Sequence, residues 1–218
     1  MSVVQSGFYG KVPCKGDFVS RGLSRGCITN LDRWLQQGMS SSKNYLAERW
    51  SELYMVAPVW QFYLSPGIVD SNGWLGVFIP SIDSVGRKFP CLLAVPVLSP
   101  FICLKQLEDQ EELLMQIEDL LLESLGDGFD FSLFCRQVSN LRLLPAYPSV
   151  DLYKAAKPVS KMVNLEQQRA DYRHLDLLSE FSRPSVWWSE GSDSIASQLW
   201  FDDGLPDAAQ FRFYLEGM

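Results

Sequence analysis

The sequence predicts one α/β domain, residues 1–218, in which helices cover both faces of a β-sheet. Residues 73–80 and 91–98 are apolar on both strand faces, which is typical of central strands covered from two sides. Residues 104–125 carry a stripe of leucine and isoleucine at helical spacing, which predicts a helix packed on that sheet. The chain of 218 residues has no internal repeat and no low-complexity linker, and it can bury a sizeable core.

The elements of the first half follow from spacing and from helix and turn signals. A short strand is predicted at residues 4–9, before a glycine-rich loop. Asn30 is predicted to cap a helix that runs through Gly38, with an apolar face of i, i+3, i+4 spacing formed by Leu31, Trp34 and Leu35. A second helix is predicted at 44–55, and Pro58 prevents its continuation. The β-branched and aromatic residues that follow predict a strand at 59–64.

The second half mixes helices and short strands. Residues 104–125 form the strongest helix of the sequence, and a shorter helix is expected at 131–141. A long polar helix is predicted at 159–181. Three short elements close the chain: a strand and turn at 185–191, a strand at 197–201, and a helix at 207–215.

The charge of the chain excludes some classes of partner. The net charge is −7, but residues 1–35 carry +3 and the remainder −10. An acidic protein with one basic region is not expected to bind nucleic acid generally, although an anionic partner could meet its N-terminal end.

The sequence predicts no membrane span, because the apolar stretch at 91–98 is far shorter than the ~20 residues that span a bilayer. No signal-peptide pattern is visible, so a cytoplasmic protein is expected.

Conventional catalytic and metal-binding motifs are missing from the sequence. Five widely spaced cysteines, with no Cys-x-x-Cys pair, predict neither a disulfide framework nor a zinc site, and no cofactor is expected. His174 is the single histidine, and no Gly-x-Ser-x-Gly motif supports a catalytic triad, so an exposed or capping role is favoured. Val12 follows Gly10-Lys11 where a phosphate-binding loop needs Ser or Thr.

Two loops are unusually dense in constrained and charged residues. The first, residues 7–18, contains three glycines, a proline and three aromatic residues, and the second, 80–90, begins and ends with proline. Basic residues of both regions could converge on an anionic surface, namely Lys11, Lys15, Arg21, Arg87 and Lys88. Alternatively, Arg21 and Arg87 pair with aspartates and lock the loops, the candidates being Asp17, Asp32 and Asp83. The sequence leaves both interpretations open.

Three further features each allow a functional and a structural interpretation. Asp17 and Asp83 could form a carboxylate pair for acid–base chemistry, but aspartates in turns usually bond their own backbone. The seven carboxylates between residues 108 and 123 could form an acidic docking surface, although a solvated helix face is favoured. Adjacent Trp187 and Trp188 point to opposite strand faces, so either both faces are apolar or one ring, assigned here to Trp188, is an interface anchor.

Together these stretches resemble the TagF family, accessory proteins of bacterial type VI secretion. The residues that carry the resemblance are Gly7-Phe8-Tyr9-Gly10-Lys11-Val12-Pro13, Gly16-Asp17-Phe18 with Arg21, Asp32-Arg33-Trp34-Leu35, Pro58-Val59-Trp60, Gly73-Trp74 with Gly76-Val77, Pro80-Ser81-x-Asp83-x-Val85-Gly86-Arg87-x-Phe89-Pro90, Ser185-Val186-Trp187-Trp188 and Leu205-Pro206. The resemblance runs nearly end to end, with residues 100–180 matching only in helical character. It implies a three-layer α/β sandwich, with a central mixed or mostly antiparallel sheet covered by helices on both faces.

The resemblance also implies a function. TagF-like proteins are non-enzymatic, cytoplasmic repressors of type VI secretion assembly and are associated with its forkhead-associated scaffold, Fha. A protein partner of this kind is therefore expected, with no cofactor and no stable membrane insertion. Some relatives carry a fused phosphatase of the PppA type, and this chain is not expected to have one. Two alternatives remain open: a small-anion or phospho-ligand sensor at the N-terminal basic loop, and an unrecognised carboxylate-dependent hydrolase.

Overall fold

The computed structural model describes residues 4–99, 104–144, 161–164 and 181–217, with the backbone alone described for 104, 105 and 161–164. The strands are β1 (Gly7–Gly10), β2 (Val19–Arg21), β3 (Trp60–Leu64), β4 (Gly73–Ile79), β5 (Cys91–Val97), β6 (Lys161–Asn164), β7 (Pro184–Ser189) and β8 (Gln198–Asp203). The α-helices are α1 (Arg25–Leu46), α2 (Trp50–Val56), α3 (Leu104–Glu108), α4 (Glu111–Glu123), α5 (Phe131–Asn140) and α6 (Phe213–Glu216). Short 3₁₀-helices lie at Ala47–Arg49 and Ala208–Arg212.

The strands of the described ranges form one sheet in the order β2-β1-β5-β4-β3-β7-β8-β6, and each neighbouring pair is antiparallel. The predicted α/β class is therefore confirmed, and the sheet is antiparallel. The prediction of two central strands is also confirmed, because β4 and β5 pair along their full lengths and all their residues are buried. Because β1 pairs with β5, the loop that follows β1 and the loop that precedes β5 leave the same end of the sheet.

Side chains of successive strand residues enter two different clusters on opposite faces of the sheet, as the two-residue period of a strand requires. Leu75 and Val77 of β4 belong to the leucine-rich cluster, which α4 and α5 supply with Leu113, Leu114, Ile117, Leu121 and Phe134. Trp74 and Phe78 belong to the tryptophan-rich cluster, which also holds Trp34, Trp60, Trp187, Trp200, Phe211 and Tyr214. Helix α1 and the C-terminal helices therefore contribute to the second cluster.

Helix α1 begins earlier and ends later than predicted. Ser24, and not Asn30, is its N-cap, because the Ser24 hydroxyl accepts a hydrogen bond from the Cys27 backbone nitrogen at 3.0 Å. Asn30 lies inside the helix and donates its side-chain amide to the Val69 carbonyl at 2.7 Å. The helix continues through Gly38 to Leu46, so it absorbs the start of the second predicted helix, which is reduced to α2.

Two other helix predictions are wrong in part. The helix expected at 104–125 is divided into α3 and α4. At the break, the buried Gln110 side chain donates to the Leu144 carbonyl at 3.2 Å and accepts from the Leu144 nitrogen at 2.8 Å, which ties the bend to a distant segment. The helix expected at 159–181 is a strand at Lys161–Asn164, because β8 offers backbone partners there. Residues 165–180, including His174, lie outside the described residues.

The contact between α1 and the C-terminal segment depends on the missing side chain at Gly38. A Cβ atom at Gly38 would lie 2.3 Å from the ring of Phe211, which is itself buried. We expect Gly38→Ala to lower the melting temperature, because overpacking costs about 1–3 kcal/mol and outweighs the helix-propensity gain of up to about 1 kcal/mol. In the same helix, Gly26→Ala meets its nearest neighbour at 3.9 Å and is expected to leave stability equal or higher. Thermal denaturation followed by circular dichroism checks the pair, and equal melting temperatures for both variants would contradict this packing.

Candidate functional site

Two loops at one end of the sheet are joined by hydrogen bonds into a continuous surface. Residues 7–10 of the predicted first loop form β1, so the first loop is residues 11–18, and the second is residues 80–90 between β4 and β5. The Ser84 nitrogen donates to the Lys15 carbonyl at 2.9 Å, and Arg87 Nη2 donates to the Gly16 carbonyl at 2.6 Å. We call residues 11–18 and 80–90 the two-loop surface.

Asp83 is the centre of this surface and accepts four hydrogen bonds. Its Oδ2 atom accepts from Lys11 Nζ at 2.9 Å and from Arg87 Nε at 2.7 Å. Its Oδ1 atom accepts from the backbone nitrogens of Val85 at 3.1 Å and Arg87 at 2.9 Å. The Asp83 side chain is 0% exposed and that of Lys11 is 8% exposed, so both charges are removed from solvent and neutralised within the protein. Such a carboxylate has little capacity left to accept a proton from a substrate.

Burial and hydrogen bonding have opposite effects on the pKa of Asp83. Burial disfavours the charged form, but the hydrogen bonds from the Arg87 backbone and from the Lys11 and Arg87 side chains favour it more strongly. The pKa of Asp83 is therefore lowered well below its ordinary value. The group stays a carboxylate at neutral pH, which suits a fixed structural charge rather than an acid–base catalyst.

An aromatic group covers the buried ion pair. The ring of Phe18 stacks on Tyr9 with centroids 5.7 Å apart and meets Phe89 edge-on at 4.8 Å. Lys11 Nζ lies 5.0 Å from the centroid of the Phe18 ring, a cation–π distance. The Tyr9 hydroxyl in turn donates to Asp32 Oδ1 at 2.5 Å, which ties the aromatic group to α1. The Lys11–Asp83 pair is thus held between backbone on one side and aromatic rings on the other.

The other predicted site residues have different environments. Lys15 is exposed and lies 4.7 Å from the centroid of Phe131 in α5, while the exposed Asp17 accepts a hydrogen bond from its own neighbour, the Phe18 nitrogen, at 2.8 Å. Arg21 is exposed at the edge strand β2, and Lys88 is half-buried. Trp188 is half-buried against the leucine-rich cluster, so both faces of β7 are apolar there, and its role as an interface anchor stays a prediction.

The geometry separates the two interpretations that the sequence left open. Arg87 pairs with Asp83, as the locking interpretation expected, but the second cation on Asp83 is Lys11 and not Arg21. Asp32 bonds Tyr9 and Gln36 and has no cation at ion-pair distance in the part of the chain that the structure describes. Lys11 and Arg87 therefore lock the loops, whereas Lys15, Arg21 and Lys88 have no carboxylate at ion-pair distance among the described residues.

Two residues of the surface were missed by the sequence reasoning. Phe18 is 43% exposed although it stacks on buried rings, and Val85 at the tip of the second loop is 70% exposed. Val85 could have been noticed, because an apolar residue between Ser84 and Gly86 in a turn has no strand or helix face to bury it. The exposure of Phe18 depends on tertiary packing and left no signal in the sequence.

The acidic helix face is solvated in the structure, as favoured. Of the seven carboxylates between residues 108 and 123, four are exposed, and Glu108, Asp109 and Glu118 are half-buried. Burial raises the pKa of Glu118, and the nearby Asp119 and Glu190 carboxylates add to the effect. In the described part of the chain, no three His, Cys, Asp or Glu side chains gather so that they could hold a metal ion. Nor does any helix there have the length and apolar character needed to cross a membrane.

Comparisons with known proteins show the family of this chain. The model of the TagF N-terminal domain, described as type VI secretion system-associated, matches residues 7–141, a range that contains both loops. The crystal structure of PA0076 from Pseudomonas aeruginosa PAO1, at 2.05 Å resolution, is similar with a TM-score of 0.79 and 32% sequence identity, over 98% of this chain and 94% of that chain. Among curated proteins no match is found. The resemblance read from the sequence is confirmed, and the chain belongs to the TagF family of type VI secretion system-associated proteins.

Proposed function

We propose that this protein is a non-enzymatic repressor of type VI secretion assembly that binds a cytoplasmic component of the machine, such as the Fha scaffold. The single observation that carries the proposal is the family match over residues 7–141, which connects the chain to type VI secretion. A cytoplasmic location and one three-layer domain belong to the same proposal. The two clusters on opposite sheet faces support the three-layer arrangement.

The chemistry of Asp83 supports a binding role over a catalytic one. A general base needs a free lone pair and a pKa near the working pH, whereas Asp83 accepts four hydrogen bonds and has a lowered pKa. One carboxylate oxygen of Asp17 accepts a hydrogen bond from the Phe18 nitrogen. These features weigh against a hydrolase that uses the two aspartates as an acid–base pair, and they suit a rigid surface for recognition.

The test compares secretion with binding. In a strain that lacks the gene, type VI-dependent secretion is expected to rise several-fold, and complementation with the intact gene is expected to return it to the parental level. Purified protein is expected to co-elute with the purified Fha-type scaffold of the same organism on size exclusion. Unchanged secretion on deletion, together with separate elution of the two proteins, would sink the proposal.

A small-anion sensor is favoured by one observation: the exposed Lys15 and Arg21 and the half-buried Lys88 lack carboxylate partners among the described residues. A ligand that binds only the folded state raises the melting temperature by mass action. Inorganic phosphate at concentrations up to tens of millimolar, tested against sodium chloride of equal ionic strength, therefore distinguishes this alternative. A phosphate-specific rise in melting temperature that Lys15→Ala abolishes would favour the sensor over the scaffold-binding repressor.

A further inference from the structure

The two-loop surface presents two exposed apolar side chains. Phe18 and Val85 are exposed, whereas most large aromatic residues of the described chain are buried in the two clusters. Phe18 is also held in place, because Tyr9 and Phe89 contact its ring and Lys11 Nζ lies near it. A pre-oriented aromatic ring loses little conformational entropy on binding, which is a property of interface anchors.

The same surface differs in charge from the rest of the molecule. Residues 11–18 and 80–90 contain four basic and two acidic side chains, a net charge of +2 in a chain whose net charge is −7. Lys11 and Arg87 are neutralised in part by Asp83, whereas the exposed Lys15 ammonium lies over the Phe131 ring and has no carboxylate at ion-pair distance within the described residues. The Arg87 side chain is 60% exposed and uses Nε and Nη2 for internal bonds, which leaves guanidinium N–H groups directed to solvent.

The backbone of the surface is fixed before any partner arrives. The Asp83 nitrogen donates a hydrogen bond to the Arg87 carbonyl at 3.1 Å, which closes a turn. The Phe89 nitrogen donates to the Ser81 carbonyl at 3.0 Å. The bond from Ser84 to Lys15 then holds the tip of the second loop, next to Val85, against the first loop. Apolar groups, cations and a rigid backbone therefore share one small area.

We propose that the two-loop surface docks an acidic segment of the protein partner. An aromatic or aliphatic side chain of that segment packs against Phe18 and Val85, and its carboxylates meet the Lys15 ammonium and the outer N–H groups of Arg87. Opposite charges speed the encounter and set its specificity, while the apolar anchor supplies affinity. The inference rests on the proposed function, since it names the chemistry of the partner that a TagF-family repressor binds.

Three substitutions test the surface, and the chain offers a matched control for each. Lys15→Glu is paired with Lys43→Glu, since Lys43 is also an exposed lysine over an aromatic ring, 5.7 Å from the Trp50 centroid. The controls for the two apolar residues are also exposed and lie outside the surface. Phe18→Ala is paired with Tyr45→Ala, because the Tyr45 ring also has a cation over it, Arg212 at 4.0 Å from the centroid. Val85→Glu is paired with Val56→Glu. Melting temperatures establish that each variant is folded.

The measurement is the dissociation constant for the purified Fha-type scaffold, at about 50 and about 200 mM salt. Each surface variant is expected to weaken binding roughly tenfold or more, with controls within about twofold of the unmodified protein. Added salt is expected to weaken the unmodified complex and to have less effect on Lys15→Glu. Should Phe18→Ala unfold, Lys15→Glu and Val85→Glu still decide the matter, because both side chains are exposed.

The outcomes separate this inference from the function it rests on. If the scaffold binds the surface variants as tightly as the unmodified protein, the docking surface is wrong and the proposed function stands. If only Phe18→Ala weakens binding, with no effect of salt or of Lys15→Glu, the acidic chemistry of the partner is wrong. If the unmodified protein neither binds the scaffold nor alters secretion, the proposed function fails and this inference fails with it.

Discussion

Replacing Asp83 by asparagine is expected to lower the melting temperature by roughly 5–10 °C and to loosen both loops. Asparagine keeps the shape of the side chain but removes the charge that neutralises Lys11, whose side chain is only 8% exposed. A buried cation without a counter-charge is costly, and the amide offers one oxygen where the carboxylate offered two. Thermal denaturation at neutral pH measures the loss, and hydrogen exchange of the Ser84 and Arg87 amides reports on the loops.

Two controls make this prediction specific to the buried pair. Asp17→Asn removes a charge from the same surface, but Asp17 is exposed and its hydrogen bond within the described residues is to the neighbouring Phe18 nitrogen, so little change in melting temperature is expected. The double variant Lys11→Met with Asp83→Leu removes both buried charges and is expected to recover part of the stability lost in Asp83→Asn. A melting temperature for Asp83→Asn equal to that of Asp17→Asn would contradict the central role of the pair.

The pH dependence of stability follows from the direction of the Asp83 shift. The folded pKa of Asp83 lies below the ordinary value of about 4 in an unfolded chain, so the unfolded state binds the proton more readily. The stabilisation is therefore fully present above about pH 4 and is lost as the pH falls further toward the folded pKa. Melting temperatures of the unmodified protein and of Asp83→Asn are expected to converge as the pH falls from 5 to about 2. A constant difference across that range would contradict the assignment.

Gly10→Ala is expected to be the other severe substitution, costing roughly 3 kcal/mol or more and reducing soluble yield. Gly10 ends β1 with a φ of 141°, a conformation that side chains rarely adopt, and an added Cβ would lie 2.1 Å from the Pro90 carbonyl oxygen. That oxygen belongs to backbone, so relief requires moving β1 away from β5 at the point where the first loop begins and the second loop ends. Chemical denaturation measures the free energy of unfolding.

Gly86→Ala separates the two contributions to the Gly10 effect. Gly86 also has a left-handed φ, 81°, but no atom lies within 4 Å of the added Cβ. Only backbone strain of about 1–2 kcal/mol is therefore expected there. Similar losses for the two variants would mean that the close approach of Gly10 to Pro90 does not matter, and the fit between the first loop and β5 would need to be revised.

The fold was largely predictable because long apolar patterns constrain the chain locally. Strands β4 and β5 were recognisable as central, since a strand that is apolar on both faces must be covered on both. The start of α1 could not be predicted from the sequence, because Ser24 and Asn30 are both good capping residues. Hydrogen bonds of Ser24 to Asp70 and of Asn30 to Val69 decide between them, and these partners are distant in sequence. The division of α3 from α4 likewise depends on hydrogen bonds between Gln110 and Leu144, more than thirty residues away.

For the candidate site, the sequence alone was enough to identify two constrained loops, their excess of basic side chains, and the motifs of the TagF family. Glycine, proline and charge are properties of single positions, so they can be read from the sequence without the fold. Only the tertiary structure decided that Asp83 pairs with Lys11 and Arg87, that Lys15 remains exposed, and that Phe18 covers the pair while still facing solvent. The Lys11–Asp83 contact joins residues 72 positions apart, and it forms because β1 and β5 are neighbours in the sheet, a pairing that no local pattern encodes.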